Sequence, residues 1–189
     1  LTTYFGGLEN NTALALQLPV HAVHIDLVRA PEQLEPVLEA LPDDKLLSLG
    51  LVDGRNIWRN DYTASLALIE KAIRRTGEDR LLLGTSCSLL HCPYNLEDET
   101  ALDPEIRQWM AFAKQKVGEV TALQQIAAGD YSLLEGNRRI TDSRKTAARI
   151  HNPAVKARLE GITTADIQRH SIFPHRQLLQ QSVLQLPLF

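Results

Sequence analysis

A chain of 189 residues, 44% hydrophobic and 23% charged, is long enough to bury one substantial core, and its composition excludes a disordered or fibrous polypeptide. Its 20 Lys and Arg against 23 Asp and Glu leave a net charge of −3, which gives no basis for a nucleic-acid or anionic-membrane partner. No apolar run approaches the ~18 residues of a membrane span and no signal-peptide pattern opens the chain, so a cytoplasmic location is expected.

In chain order, Leu1–Phe5 has the β-branched and aromatic character of a strand, and Gly6-Gly7 makes a turn. Asn10-Asn11-Thr12 can cap a short helix bearing Ala13, Leu14, Leu16 and Leu18, which Pro19 ends. A second strand runs from Ala22 to Val28, with His21 and His24 expected on opposite sides of it. Pro31 stands in the first turn of a helix carrying Leu34, Leu38 and Leu41. A third strand, Leu46–Val52, runs into the polar turn Asp53-Gly54-Arg55-Asn56, and a helix follows from about Tyr62 to Arg75, closed by Gly77. The fourth apolar run, Leu81-Leu82-Leu83, breaks at Gly84 into Thr85-Ser86-Cys87-Ser88 and reaches His91. That is how a buried parallel strand ends at the ligand-facing edge of a sheet.

Beyond Asn95 the pattern becomes helical. Ile106, Trp109, Met110, Ala113, Val117, Val120, Leu123 and Ala127 recur at three and four, predicting one long amphipathic helix over Pro104–Ala128 whose Trp and Met pack in the core. Tyr131–Ile150 reads as another helix, with the basic cluster Arg138–Arg149 as its solvated face. Asn152-Pro153 starts a third that Gly161 ends, Thr163 and Asp166 form a capping box for a fourth, and His175–Leu184 makes a last one.

Strands alternating with helices at roughly 20 to 35 residues imply right-handed βαβ units and a parallel sheet. The expected fold is α/β: half of a TIM (β/α)8 barrel, about four parallel βα units in a single domain fragment. Residues 1–102 would hold those units, 103–185 the helical segment and 186–189 the start of an interdomain linker. A doubly wound sheet is the competing architecture, although neither G-x-G-x-x-G nor G-x-x-x-x-G-K-[ST] occurs. A start at Leu1 without Met and an end at Leu-Pro-Leu-Phe suggest a piece of a longer protein.

Two sets of residues can carry chemistry. Cys87, His91 and Cys92 are zinc-ligand types, but four residues separate the cysteines and a site would have to recruit His24 or Asp26. A small semi-buried thiol at Cys87 and a loop-capping or loop-bonding imidazole at His91 are the preferred reading over a metal. The second set, Asp26, Arg29, Asp53, Arg55 and Asn56, sits at strand C-terminal ends and shares a rim with Ser86, Cys87 and His91 if the sheet is parallel. Such a rim faces a ligand or another domain, or else stitches neighbouring βα loops together. No catalytic and no metal-ligating residue is assigned.

Three stretches together carry a resemblance: His24-Ile25-Asp26-Leu27-Val28-Arg29-Ala30-Pro31-Glu32-Gln33-Leu34, Gly50-Leu51-Val52-Asp53-Gly54-Arg55-Asn56-Ile57-Trp58-Arg59, and Ser86-Cys87-Ser88-Leu89-Leu90-His91. With the closing Leu186-Pro187-Leu188-Phe189, they resemble the cobalamin-independent methionine synthase family over the whole chain. The resemblance implies two facing (βα)8 barrels and zinc-assisted methyl transfer from 5-methyltetrahydropteroyltriglutamate to homocysteine, giving methionine. It implies that this chain is the second half of the N-terminal barrel, itself inactive, with the zinc ligands outside it. The partners would be the missing barrel half and the C-terminal catalytic barrel.

In that C-terminal barrel the family's zinc is held by a His-x-Cys pair, a Glu and a Cys. If the barrels arose by duplication, the matching positions here are Thr2 and Tyr4, Asp26 and Cys87, of which only Cys87 keeps a ligand type. The alternatives to this reading are a free-standing metal-binding α/β enzyme using Cys87, His91 and Asp26, and a non-catalytic interaction domain. An isolated half barrel would expose two strand edges and is expected to self-associate as a homodimer.

Overall fold

The three apolar runs become parallel strands in the computed structural model, which describes residues 1–185: β1 (Ala22–Asp26), β2 (Leu46–Val52) and β3 (Leu81–Thr85). The linker expected at 186–189 lies outside the described residues. The sheet order follows the chain, β1-β2-β3, with His24 beside Ser48 and Ser48 beside Leu82. β2 is the middle strand, which is why its sequence is almost continuously apolar and five of its seven residues are buried. The first expected strand is corrected to a single parallel bridge, Thr2 to His24, so the described residues hold three strands and not four. Its neighbourhood explains the shortening: Phe5 already turns into the left-handed region at φ 69°, and Gly6 continues the turn at φ 158°.

The chain divides into two units, Leu1–Lys145 and the residues from Thr146 on. In the first, helices α1 (Thr12–Gln17), α2 (Leu34–Ala40) and α3 (Tyr62–Thr76) follow in turn. Asn11 does not cap α1 through its side chain. Asp61 caps α3 by accepting from the Thr63 and Ala64 N–H groups, and Gly77, at φ 81°, ends it with its N–H on the Ile73 carbonyl. The core lies on one face of the sheet, where Val23, Ile25, Leu47 and Leu49 meet Leu16 of α1, Val37 of α2 and Ile69 of α3. The other face carries His24, Ser48 and Gly84, with Leu82 47% exposed. At the N-terminal edge of the strands the ties are structural: buried Lys45 donates to the Leu18 and Val20 carbonyls, and Arg80 to those of Pro42 and Asp43.

The long helix expected over Pro104–Ala128 is two helices, α4 (Pro104–Gln108) and α5 (Ala113–Ala127). Between them the chain leaves the helix after Trp109, and Met110 forms an antiparallel bridge with Trp58, flanked by bonds from the Arg59 N–H to the Trp109 carbonyl and from the Ala111 N–H to the Ile57 carbonyl. Met110 and Phe112 join Leu96 in a small second core, and Trp109 is buried as expected. α5 follows the stripe only in part. Ala122, Leu123 and Ile126 enter the core, but Val117 faces out and Lys116 and Glu119 are buried. The helix expected over Tyr131–Ile150 is α6 (Leu134–Thr146), framed by short 3-10 turns at Tyr131–Leu133 and Ala148–Ile150.

The second unit carries α7 (Pro153–Glu160), α8 (Thr164–Ile167) and α9 (Phe173–Leu184). Local signals set their starts. Asn152 accepts from the Ala154 and Val155 N–H groups, and Thr163 with Asp166 forms the expected capping box. None of these three helices contains a buried residue.

Candidate functional site

The C-terminal ends of three parallel strands share one edge, and the eight candidate residues lie along it. Asp26 ends β1. It is 1% exposed and accepts from three N–H groups, Phe5 on Oδ2 and Val28 and Arg29 on Oδ1, each at 3.0 Å. Gln33 adds a bond to the Asp26 carbonyl at 2.7 Å while accepting from the Leu8 N–H. Asp26 is therefore the knot that fixes the first two βα loops, and its carboxylate oxygens are already occupied. Arg29 beside it is exposed.

The turn after β2 and the loop after β3 are bonded to one another. The Ser86 N–H reaches the Val52 carbonyl, and the Ser86 hydroxyl accepts from the Gly54 N–H at 3.2 Å. Cys92 Sγ donates toward the Gly54 and Asn56 carbonyls at 3.1 and 3.2 Å. Gly54 is required by closeness: a Cβ there would stand 2.7 Å from the Cys87 carbonyl oxygen and 2.8 Å from its sulfur. Within the turn, Asp53 accepts from the Arg55 N–H on Oδ1 and from Asn56 Nδ2 on Oδ2, at 2.8 and 2.6 Å.

An aromatic ring joins the loops at the exposed end of the rim. The Arg55 guanidinium lies 4.8 Å from the centre of the half-exposed Phe5 ring, and the His91 ring meets the same ring edge-on at 5.8 Å. Phe5 carried no chemical signal in the sequence. Only a backbone conformation unusual for a bulky side chain marks it. In the loop after β3, Leu90 is 91% exposed and Tyr94 77%.

On the open face of the sheet, His24 Nδ1 pairs with Ser48 Oγ at 2.8 Å, and Tyr4 meets its ring edge-on at 5.8 Å. His24 Nε2 is buried with no hydrogen-bond partner. It lies 2.9 Å from where a Cβ on Gly50 would stand. Burial lowers the pKa of His24, against opposing pulls from the Ser86 backbone and the Asp26 carboxylate, so the ring is held neutral. His21, expected on the opposite side of the strand, instead precedes β1 and is exposed.

Behind the rim stands a layer that the apolar pattern did not indicate. Lys116 Nζ donates to Asn56 Oδ1 at 3.3 Å and to the Trp58 carbonyl at 3.0 Å. Glu119 accepts from the Asn60 N–H at 2.9 Å, and its other oxygen is buried without a partner. Burial lowers the pKa of Lys116 and raises that of Glu119. It also pushes the Tyr62 phenol up to about 12, with the Glu119 charge adding to the effect. From α6, Asn137 donates to the Asn60 carbonyl and accepts from the Tyr62 N–H, and the Arg144 guanidinium lies 4.1 Å from the centre of the Trp58 ring. Part of the basic cluster on α6 therefore grips this loop, while Arg138 and Asp142 make a solvated ion pair. The available signal was the break in the stripe, where Lys116 and Glu119 stand one turn apart on the face that later carries Leu123 and Ile126.

The arrangement does not assemble a metal centre. Cys87 is 1% exposed with its sulfur directed at the Ser88 carbonyl, and burial raises its pKa above the ordinary thiol value, as it does for Cys92. His91 is engaged with Phe5, and the oxygens of Asp26 are taken by backbone N–H groups. The donors proposed for a free-standing metal enzyme thus do not form one coordination sphere. Among the described residues no group of three or more His, Cys, Asp or Glu is gathered that could hold a metal ion. Among the same residues no helix is long and apolar enough to cross a membrane.

Residues 1–77 match the family model described as the cobalamin-independent synthase N-terminal domain. The chain is 47% identical to a 5-methyltetrahydropteroyltriglutamate–homocysteine methyltransferase of Caulobacter vibrioides, over 99% of this chain and 25% of that protein. It is 49% identical to the protein of the same name from Flavobacterium johnsoniae, over 100% and 26% respectively, and 44% identical to that of Rhodopseudomonas palustris, over 100% and 24%. The chain spans about a quarter of the length of these curated relatives.

Proposed function

We propose that this chain belongs to the cobalamin-independent synthase family and is the second half of an N-terminal (βα)8 barrel in a cytoplasmic methyltransferase. The parent enzyme would move a methyl group from 5-methyltetrahydropteroyltriglutamate to homocysteine and release methionine. The observation that carries the reading is the identity of 44–49% along essentially the whole chain with proteins named for that reaction. The sheet agrees with it: sequential parallel strands with their core on one face and a polar, partly open second face are what an arc of barrel wall presents.

In this reading the chain supplies architecture to the reaction. Asp26, Phe5 and the Asp53–Asn56 turn hold the C-terminal rim in shape, and Arg55, His91 and Arg29 face the substrate side or the second barrel. Zinc, which in the parent activates the homocysteine thiol, takes its ligands from outside this chain. The donors present here do not fit the metal, because both Asp26 oxygens are already engaged by backbone N–H groups, Cys87 is buried with its pKa raised by that burial, and no third donor joins them among the described residues. The chain alone is then inactive.

Reconstitution tests this. Mixed with the remaining polypeptide of the Caulobacter relative, the chain should restore methionine formation from homocysteine and 5-methyltetrahydropteroyltriglutamate, with neither part active alone. Turnover by this chain alone, or stoichiometric zinc that is lost on Cys87→Ala, would overturn the proposal.

A further inference from the structure

Lys116 is completely buried, yet its ammonium makes both of its hydrogen bonds to a single surface turn, at Asn56 Oδ1 and the Trp58 carbonyl. Burying an ammonium costs several kcal/mol, and an apolar side chain of the same length would fill the space without that cost. What an apolar side chain cannot do is choose the orientation of an amide. With a cation behind it, Asn56 must turn its oxygen inward, where that atom also accepts from the Trp58 N–H at 3.0 Å. Its NH2 group is thereby turned outward, onto Asp53 Oδ2 at 2.6 Å. Reversing the amide would set its NH2 against the ammonium and the Trp58 N–H and its oxygen against the carboxylate, three repulsions in place of three bonds.

We infer that Lys116 is a positioning residue for the rim: ammonium, amide and carboxylate form a directed chain, Lys116 to Asn56 to Asp53, that fixes how the Asp53 carboxylate is presented at the sheet edge. The inference rests on reading the Asp53–Asn56 turn as the working edge of the barrel. It adds that this edge is set from α5, some 60 residues further along the chain. The orientation is relayed outward through neutral Asn56, so Asp53 is oriented by a cation to which it makes no hydrogen bond. The Arg55 N–H, bonded to Asp53 Oδ1 at 2.8 Å, follows the same carboxylate, and the Arg55 side chain ends on Phe5. Displacement of Asn56 would then loosen three rim residues together.

Amide exchange in the 189-residue chain tests the relay without any ligand. Lys116→Met should speed solvent exchange of the Asn56 side-chain NH2 at least tenfold, while Lys116→Arg, which keeps the charge, should stay within about threefold of the parent. Leu123→Ala, a cavity in the same helix, should leave Asn56 exchange unchanged although it destabilises the fold. Unchanged Asn56 exchange in a folded Lys116→Met chain would overturn the inference, and so would equal acceleration by Leu123→Ala. Should Lys116→Met not fold, Asn56→Asp decides. It keeps an acceptor for Lys116 but cannot donate to Asp53, so exchange of the Arg55 backbone amide should rise at least tenfold, and a parent-like rate would overturn the relay. These outcomes do not depend on methyl transfer, so a failed reconstitution and a failed relay are told apart.

Discussion

Gly54 and Asp26 show how little freedom single positions have at the rim. Asp26 is a carboxylate used as a backbone clamp, and charge-assisted N–H bonds to a buried carboxylate are among the stronger ones a fold can make. Gly54 admits the Cys87 carbonyl and sulfur into space that any other residue would fill. Gly54→Ala should therefore push apart the turn after β2 and the loop after β3, at a cost of about 1–3 kcal/mol. Urea denaturation checks this, with Gly118→Ala and Gly136→Ala as controls for glycine replacement, since a Cβ at either meets nothing within 4 Å and neither has a positive φ. A fall in midpoint no larger than the controls' would show that the close approach at Gly54 relaxes freely.

Among the elements, α5 does two tasks, and the polar one escapes sequence patterning. Strand β2 and helix α3 are legible because their signals are local: a buried apolar run, an Asp cap and a closing glycine. The capping box of α8 is legible for the same reason. The phase of α5 is not, since its first two turns bury a lysine and a glutamate against the loop after β2 and expose Val117. Nor is the break at Trp109–Phe112, which depends on pairing with Trp58 some fifty residues earlier. On the rim, the eight candidates are legible as strand-end residues, whereas Phe5, Lys116 and Glu119 have roles that exist only in the folded chain. Glu119 carries a prediction about pH. Its pKa in the fold is raised above the ordinary 4.5, so the stability it contributes is full below that value and is lost as the pH climbs through the raised one. Glu119→Gln keeps an acceptor for the Asn60 N–H without the charge. Thermal melts should find it within ~1 kcal/mol of the parent below pH 4.5, and increasingly the more stable of the two as the pH rises. A parent whose advantage over Glu119→Gln grows with pH would show that Glu119 is stabilised as an anion.

At the scale of the whole molecule, the first unit builds a conventional interior while α7, α8 and α9 bury nothing. Three such helices cannot offset their own ordering entropy by apolar burial alone. In the first unit the sheet leaves Leu82 and Tyr4 about half exposed on or beside its open face, and among the described residues no strand pairs with the far side of β3, which is a strand edge. The isolated chain should therefore self-associate. Light scattering during size exclusion should give a mass above the 21.1 kDa of one chain, rising with concentration, and a single-chain mass throughout would refute this. Adding the rest of the relative's polypeptide should compete with that association, because both would cover the same faces.

The sulfur of Cys92 offers a last consequence. Its proton is shared between two carbonyls of the neighbouring turn, and burial keeps it a thiol. Cys92 is only partly exposed and an alkylating reagent consumes only the thiolate, so capture is slow while the two carbonyls hold the proton and speeds up when the loops part. The rate at which iodoacetamide modifies Cys92 is thus a clock for the opening of the rim, readable by mass spectrometry without any label added to the chain. Gly54→Ala should make that clock run faster.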